Sequence, residues 1–162
     1  MYTDLYNKCI EVLLRLEGGD KVSNASSDRG GLTRWGISQK SYPDLNIKAL
    51  TKEKASDLYF NDYWIPMNLK ILHDEELILH LFVLGVNIGI RTATKILQRL
   101  VGEVDDGYIG IKTSLAVTQY NGNLLEDFIK REKLFYITLA QKDESQHVNL
   151  KGWLARISNT HF

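Results

Sequence analysis

Three observations predict a mainly α fold. Apolar residues recur at helical spacing over most of the 162 residues, everything after Pro66 keeps that period, and only one stretch of any size, Asp20 to Tyr42, breaks it. A chain of this length buries one good core or two small lobes, not two large independent domains.

The first helix is predicted over Tyr2 to Leu16, where Leu5, Cys9, Val12, Leu13 and Leu16 fall on one face and Gly18-Gly19 ends the run. The next twenty residues, rich in Gly, Ser, Asn and Asp, suit loops with a small irregular hairpin. Thr51 is placed to cap a helix carrying Ala55, Leu58, Tyr59 and Asp62, which is expected to give out before Pro66. A buried helix should start near Asp74 and contain "LILHLFVLGVNIGI", Leu77 to Ile90. That run is broken by His80, Gly85 and Asn87 and falls short of the ~20 residues a bilayer span needs. Further helices are predicted at Thr92 to Val101, closed by Gly102, after Lys112, from Leu124 to about Lys142, and around Trp153 to Ile157. No repeat, low-complexity tract or flexible linker is present. The expected organisation is therefore a segment 1–66 and a helical region 67–162, packed against each other as one compact unit.

Twenty Lys and Arg balance twenty Asp and Glu, so the net charge is zero. With no one-sided basic stripe, a nucleic-acid partner is not expected, although "LTRWGISQKSY" has the look of a turn before a recognition helix. The lone Cys9 lies in the apolar face of the first helix and reads as a buried thiol. The histidines show no metal-ligand spacing and Asp105-Asp106-Gly107 lacks the ligands of a calcium loop, so no metal or cofactor is expected and the aspartates read as a turn. The start of the sequence lacks the basic and apolar regions of a signal peptide, which points to cytoplasmic synthesis, and a monomer is expected.

The chemistry concentrates between Glu17 and Ser38. A carboxyl group at a helix C-terminus faces the negative end of the macrodipole and unpaired carbonyls, which disfavour its charged form and raise its pKa, as a general acid working near neutral pH requires. Gly18 and Gly19 leave room for a bulky polymer beside it. Asp28 and Thr33 follow on a loop that folds back, offering a carboxylate and a hydroxyl to hold a water. Trp35 is the aromatic best placed to stack on a sugar face, and Tyr42, Tyr59, Tyr63 and Trp64 read as packing. Arg29 and Arg34 read as surface ion-pair partners. Asn87, alone among apolar residues, needs a hydrogen-bond partner if buried and is a candidate for contacting glycan or, the favoured reading, for capping a neighbouring helix.

Together, Glu17-Gly18-Gly19, Asp28-Arg29-Gly30-Gly31, Thr33 and Trp35-Gly36-Ile37-Ser38 resemble the signature of the glycoside hydrolase family 108 N-acetylmuramidases. Asp20 stands where that family has an aromatic, and Val83 where it often has an acidic residue. The second half is similar to the predicted peptidoglycan-binding region that accompanies this segment, through "VNIG" at Val86, "ILQRLVG" at Ile96, "DDGYIG" at Asp105 and "GWLARI" at Gly152. The resemblance implies a lysozyme-like fold with its cleft at the loop and β segment, and a lysozyme cleaving the β-1,4 bond between N-acetylmuramic acid and N-acetylglucosamine. It implies Glu17 as catalytic acid, with Asp28 and Thr33 as its helpers and peptidoglycan strands as the partner. Action in the cell wall would follow release, as for a phage endolysin, or export. The alternative is a peptidoglycan-binding protein that has lost catalysis.

Overall fold

A computed structural model describes residues 3–24 and 31–162. Helix α1 (Asp4–Leu16) opens on Thr3, whose side chain accepts the Tyr6 amide at 3.2 Å and so satisfies a donor with no intrahelical partner. Its inward face buries Tyr6, Cys9 and Leu13 completely, and the cysteine is in no disulfide. The Tyr6 hydroxyl donates to the Ser56 carbonyl at 2.6 Å and its ring meets Phe60 edge-on, with centroids 4.8 Å apart.

The irregular stretch holds the expected hairpin and one strand more. Strands β1 (Ser23–Asn24), β2 (Leu32–Arg34) and β3 (Ile37–Ser38) form an antiparallel sheet in that order, with Ser23 opposite Thr33 and Arg34 opposite Ile37. "LTRWGISQKSY" is therefore strand and turn, and lacks the turn and recognition helix that its sequence hinted at.

Helix α2 (Lys52–Tyr59) is capped by Thr51, which accepts the Lys54 amide at 3.2 Å. Winding does not give out before Pro66. It continues through a π segment at Phe60–Trp64 and a short helix α3 (Ile65–Met67), because Pro66 falls in the first turn, where its missing N–H is not needed. Asn68, at φ 54°, ends α3.

By contacts the chain divides into Met1–Asp62 and Tyr63–Phe162. The second unit carries α4 (Glu75–Ile88), α5 (Ile90–Val101), α6 (Ile111–Thr118), α7 (Leu124–Lys142) and α8 (His147–Ser158). Helix α5 starts two residues earlier than its spacing predicts, and α8 takes in six residues ahead of Trp153. Asp74 caps α4 by accepting the Leu77 amide at 3.0 Å, and Leu77, Leu79, Leu81 and Phe82 behind it are fully buried. A Cβ at Gly85 would lie 2.6 Å from the Met67 methyl, so the end of the Met67 side chain packs over the bare backbone of α4 and would have to swing aside for any larger residue. Helix α7 packs against α4, α5 and α8. Buried between α4 and α7, His80 Nδ1 and Glu132 Oε2 stand 2.7 Å apart. Among the described residues, no helix is long and apolar enough to cross a membrane.

Candidate active site

Glu17 is the C-cap of α1. Its own amide donates to the Leu13 carbonyl at 2.9 Å, and the Gly19 amide donates to Leu14 at 3.0 Å. Gly18 and Gly19 take φ values of 87° and 67°, a left-handed pair that turns the chain away and leaves the Glu17 side chain half-buried at the helix end. Among the described residues, a methyl added at Gly18 would meet nothing within 4 Å.

The opposite side is closed by the turn between β2 and β3. Trp35 and Gly36, at φ 55° and 76°, are its two central residues, and positive φ at both is the pattern of the hairpin turn whose twist matches its strands. Glycine adopts this freely, whereas tryptophan there costs about 1–3 kcal/mol unless its surroundings hold it. Both of its backbone polar groups are held: the Trp35 amide donates to the Gly19 carbonyl at 3.1 Å, and the Tyr59 hydroxyl donates to the Trp35 carbonyl at 3.0 Å. The turn is thereby tied at one side to the end of α1 and at the other to α2.

Gly36 is the contact point. A Cβ built there would lie 2.7 Å from Glu17 Cγ and 2.8 Å from Glu17 Oε2, and would also collide with the Tyr59 hydroxyl. Backbone without a side chain thus lies directly against the carboxyl group, with the buried Tyr59 beside it.

Thr33 sits in the middle of β2, half-buried, with Ser23 and Ser38 opposite it on the two neighbouring strands. Its hydroxyl makes no hydrogen bond among the described residues. Trp35 is half-buried; the edge of its ring approaches Gly19, and its indole N–H is buried with no hydrogen-bond partner among the described residues. Asp28 and Arg29 lie outside the described residues. Arg34 pairs with no carboxylate among the described residues; it donates instead to the carbonyls of Asp20 at 3.0 Å and Lys48 at 2.8 Å, bracing the loop from within. Asn87 belongs to the second unit. It is exposed in the last turn of α4, and its amide donates to the Tyr136 hydroxyl, whose ring stacks on Trp153 at 4.9 Å. Asp105 and Asp106 take bonds from Arg99 and Gln98 in a turn between helices.

Of the other aromatics, Trp64 packs edge-on against Phe82 and Tyr42 donates to the Asp62 carboxylate. Two residues that matter here were named in the sequence without this role, Gly36 as part of a motif and Tyr59 as packing. Gly36 carried a signal, a glycine between Trp35 and the apolar Ile37. Tyr59 carried none, because a buried tyrosine on a helix face reads as core.

Residues 10–89 match the family model described as glycosyl hydrolase 108, and residues 92–158 match that of a predicted peptidoglycan domain. No curated protein matches the chain. Among solved structures, that of Brucella abortus SagA is similar, with a TM-score of 0.77 at 26% sequence identity, covering 96% of this chain and 90% of that one. The two family models together support a glycoside hydrolase acting on peptidoglycan. Over residues 10–89 the chain therefore belongs to the glycosyl hydrolase 108 family, with a predicted peptidoglycan domain following at 92–158.

Proposed function

We propose that the chain is an N-acetylmuramidase that hydrolyses the β-1,4 bond between N-acetylmuramic acid and N-acetylglucosamine, with Glu17 as proton donor to the leaving oxygen. One observation carries this reading: the Glu17 carboxyl stands at the carbonyl end of α1 with the Gly36 backbone directly against it. The carbonyl end of a helix is a position that disfavours the charged form of a carboxyl group, which is the placement general acid catalysis calls for. Glycosidases of this kind pass through an oxocarbenium-like transition state, which needs a second carboxylate. Asp28 is our candidate to stabilise that charge or to activate water, with the Thr33 hydroxyl positioning the water. The Trp35 ring offers an apolar face to a sugar, and Gly18 and Gly19 give the glycan strand access.

The test is digestion of purified peptidoglycan by the wild type and by Glu17→Gln, which keeps the shape and removes the titratable proton, with new sugar ends identified by mass spectrometry. New reducing ends on muramic acid with the wild type alone would support both the bond and the acid. Cleavage by both proteins would show that another group is the acid. Binding without cleavage by either would favour a peptidoglycan binder that has lost catalysis. An endolysin role requires in addition that expression inside bacteria together with a pore-forming membrane protein cause lysis that Glu17→Gln does not.

A further inference from the structure

The second unit carries a groove of about 360 Å³ between α5 and α7 that has no part in the chemistry at Glu17. Its floor is apolar: Ile96 comes from α5, while Leu134, Phe135 and Leu139 fall on one face of α7. Leu134, in the middle of the 19-residue helix, is 53% exposed. The rim is cationic, with Arg131 and Lys142 at its two ends on α7 and Arg99 on α5, and no carboxylate lines it. Arg99 is held in place by Asp105 at 2.6 Å. Arg131 and Lys142 have no ion-pair partner among the described residues. Asp127, one turn before Arg131, already takes bonds from Lys130 and Tyr120, and Asp143, next to Lys142, takes bonds from Ser145.

Such a surface fits a ligand with carboxylates at its ends and small apolar groups between. Length narrows the choice. Arg131 and Lys142 are separated by about 16 Å along the helix axis, and an extended peptide of four or five residues spans roughly 13–18 Å. The stem peptides of peptidoglycan are about that long, carry free carboxylates, one of them at the C-terminus, and include alanine methyls. We propose that the α5–α7 groove binds the peptide stem of peptidoglycan, leaving the glycan to the first unit. The proposal rests on the reading of the chain as a peptidoglycan hydrolase and assigns the predicted peptidoglycan domain its ligand.

The experiment is calorimetric titration of the full chain with a free tetrapeptide stem, with the same peptide amidated at its carboxylates, and with a peptide-free chitooligosaccharide. The stem should bind, its affinity should fall as salt rises, and amidation should weaken it by about tenfold or more. The paired variant Arg131→Glu with Lys142→Glu changes two exposed side chains and should weaken stem binding by a similar factor while leaving chitooligosaccharide binding unchanged. Leu134→Asp, which puts a charge on the floor, should do the same. Failure of the stem to bind, or equal binding by the amidated peptide or the charge-reversed variant, would overturn the proposal. So would concentration-dependent dimerisation in sedimentation runs that Leu134→Asp abolishes, since the groove would then be covered by a second copy. Release of sugar ends from whole sacculi reports separately on the hydrolase reading. Intact release without stem binding removes the groove alone, whereas stem binding without release removes the hydrolase and leaves the groove.

Discussion

The Tyr59 hydroxyl donates to the carbonyl of Trp35 at 3.0 Å, and the amide of the same residue donates to Gly19 at 3.1 Å, so the one tryptophan with positive φ is held by both ends of its backbone. Tyr59 is buried and lies beside Gly36, which in turn presses on Glu17. A buried hydroxyl 24 residues away in sequence thus fixes the height of the turn above the carboxyl group.

Tyr59→Phe tests this link. Loss of the bond leaves the Trp35 carbonyl unsatisfied and should lower stability by about 1–2 kcal/mol, read as a shift in the urea midpoint. If the turn positions the acid, turnover should also fall while KM changes little. In a Glu17→Gln background the same substitution should cause no further loss of activity, because residues acting as a unit are not additive.

Gly36→Ala should be worse than Tyr59→Phe. The new methyl would sit 2.7 Å from Glu17 Cγ in a backbone conformation that L residues rarely adopt. Strain and overpacking together should cost about 2–4 kcal/mol, and activity should fall further than stability explains at temperatures where the variant remains folded. Circular dichroism melts beside turnover measurements separate the two effects.

Trp35→Asn separates strain from use at the neighbouring position. Asparagine tolerates positive φ far better than tryptophan, so the variant should be as stable as the wild type or up to about 1 kcal/mol more so. If the ring stacks on a sugar, KM for peptidoglycan should rise about fivefold to tenfold. An unchanged KM would show that Trp35 shapes the turn without touching the glycan.

Glu17, Trp35 and Asn87 mark what a sequence reader sees and misses. Glu17 was legible because an amphipathic period, a terminal carboxyl and two glycines are all local signals. The geometry of Trp35 was not, because local propensity argues against tryptophan in that turn and only the bonds from Gly19 and Tyr59 override it. Asn87 was legible only in part: a polar residue in an apolar run called for a hydrogen-bond partner, which Tyr136 supplies, but its place in the exposed final turn of α4 was not readable. The run beyond Pro66 was lost because proline is a breaker only where its N–H is needed.

Gln98 was equally hidden, inside "ILQRLVG". Its amide nitrogen donates to Asp106 at 2.8 Å, to the Tyr108 carbonyl at 3.0 Å and to Thr113 at 3.2 Å, and its oxygen accepts the Gly107 amide at 2.8 Å. One buried side chain therefore organises the turn between α5 and α6. Gln98→Leu keeps the volume and strands these partners, and should cost about 2–3 kcal/mol. Hydrogen exchange at the Gly107 amide should accelerate well beyond that of amides in α7.

The pair of His80 and Glu132 gives the second unit a pH dependence of definite sign. Burial pushes the Glu132 carboxyl above the ordinary carboxylate range, with the hydrogen bond and charge of His80 opposing it only in part. A carboxyl raised in the folded state binds its proton more tightly there than in the unfolded chain. Its contribution to stability is complete below the unfolded value, about 4.3, and is lost as pH climbs through the raised folded value. Glu132→Gln has no proton to lose and can still accept from His80 through its amide oxygen. The variant should therefore gain stability relative to the wild type as pH rises from 4 to 7, measured as the difference in urea midpoints. Glu132→Ala should instead lose about 2–4 kcal/mol across that range, because it strands a buried imidazole and opens a cavity. A midpoint difference between Gln and wild type that stays flat with pH would show that burial does not hold the proton on Glu132.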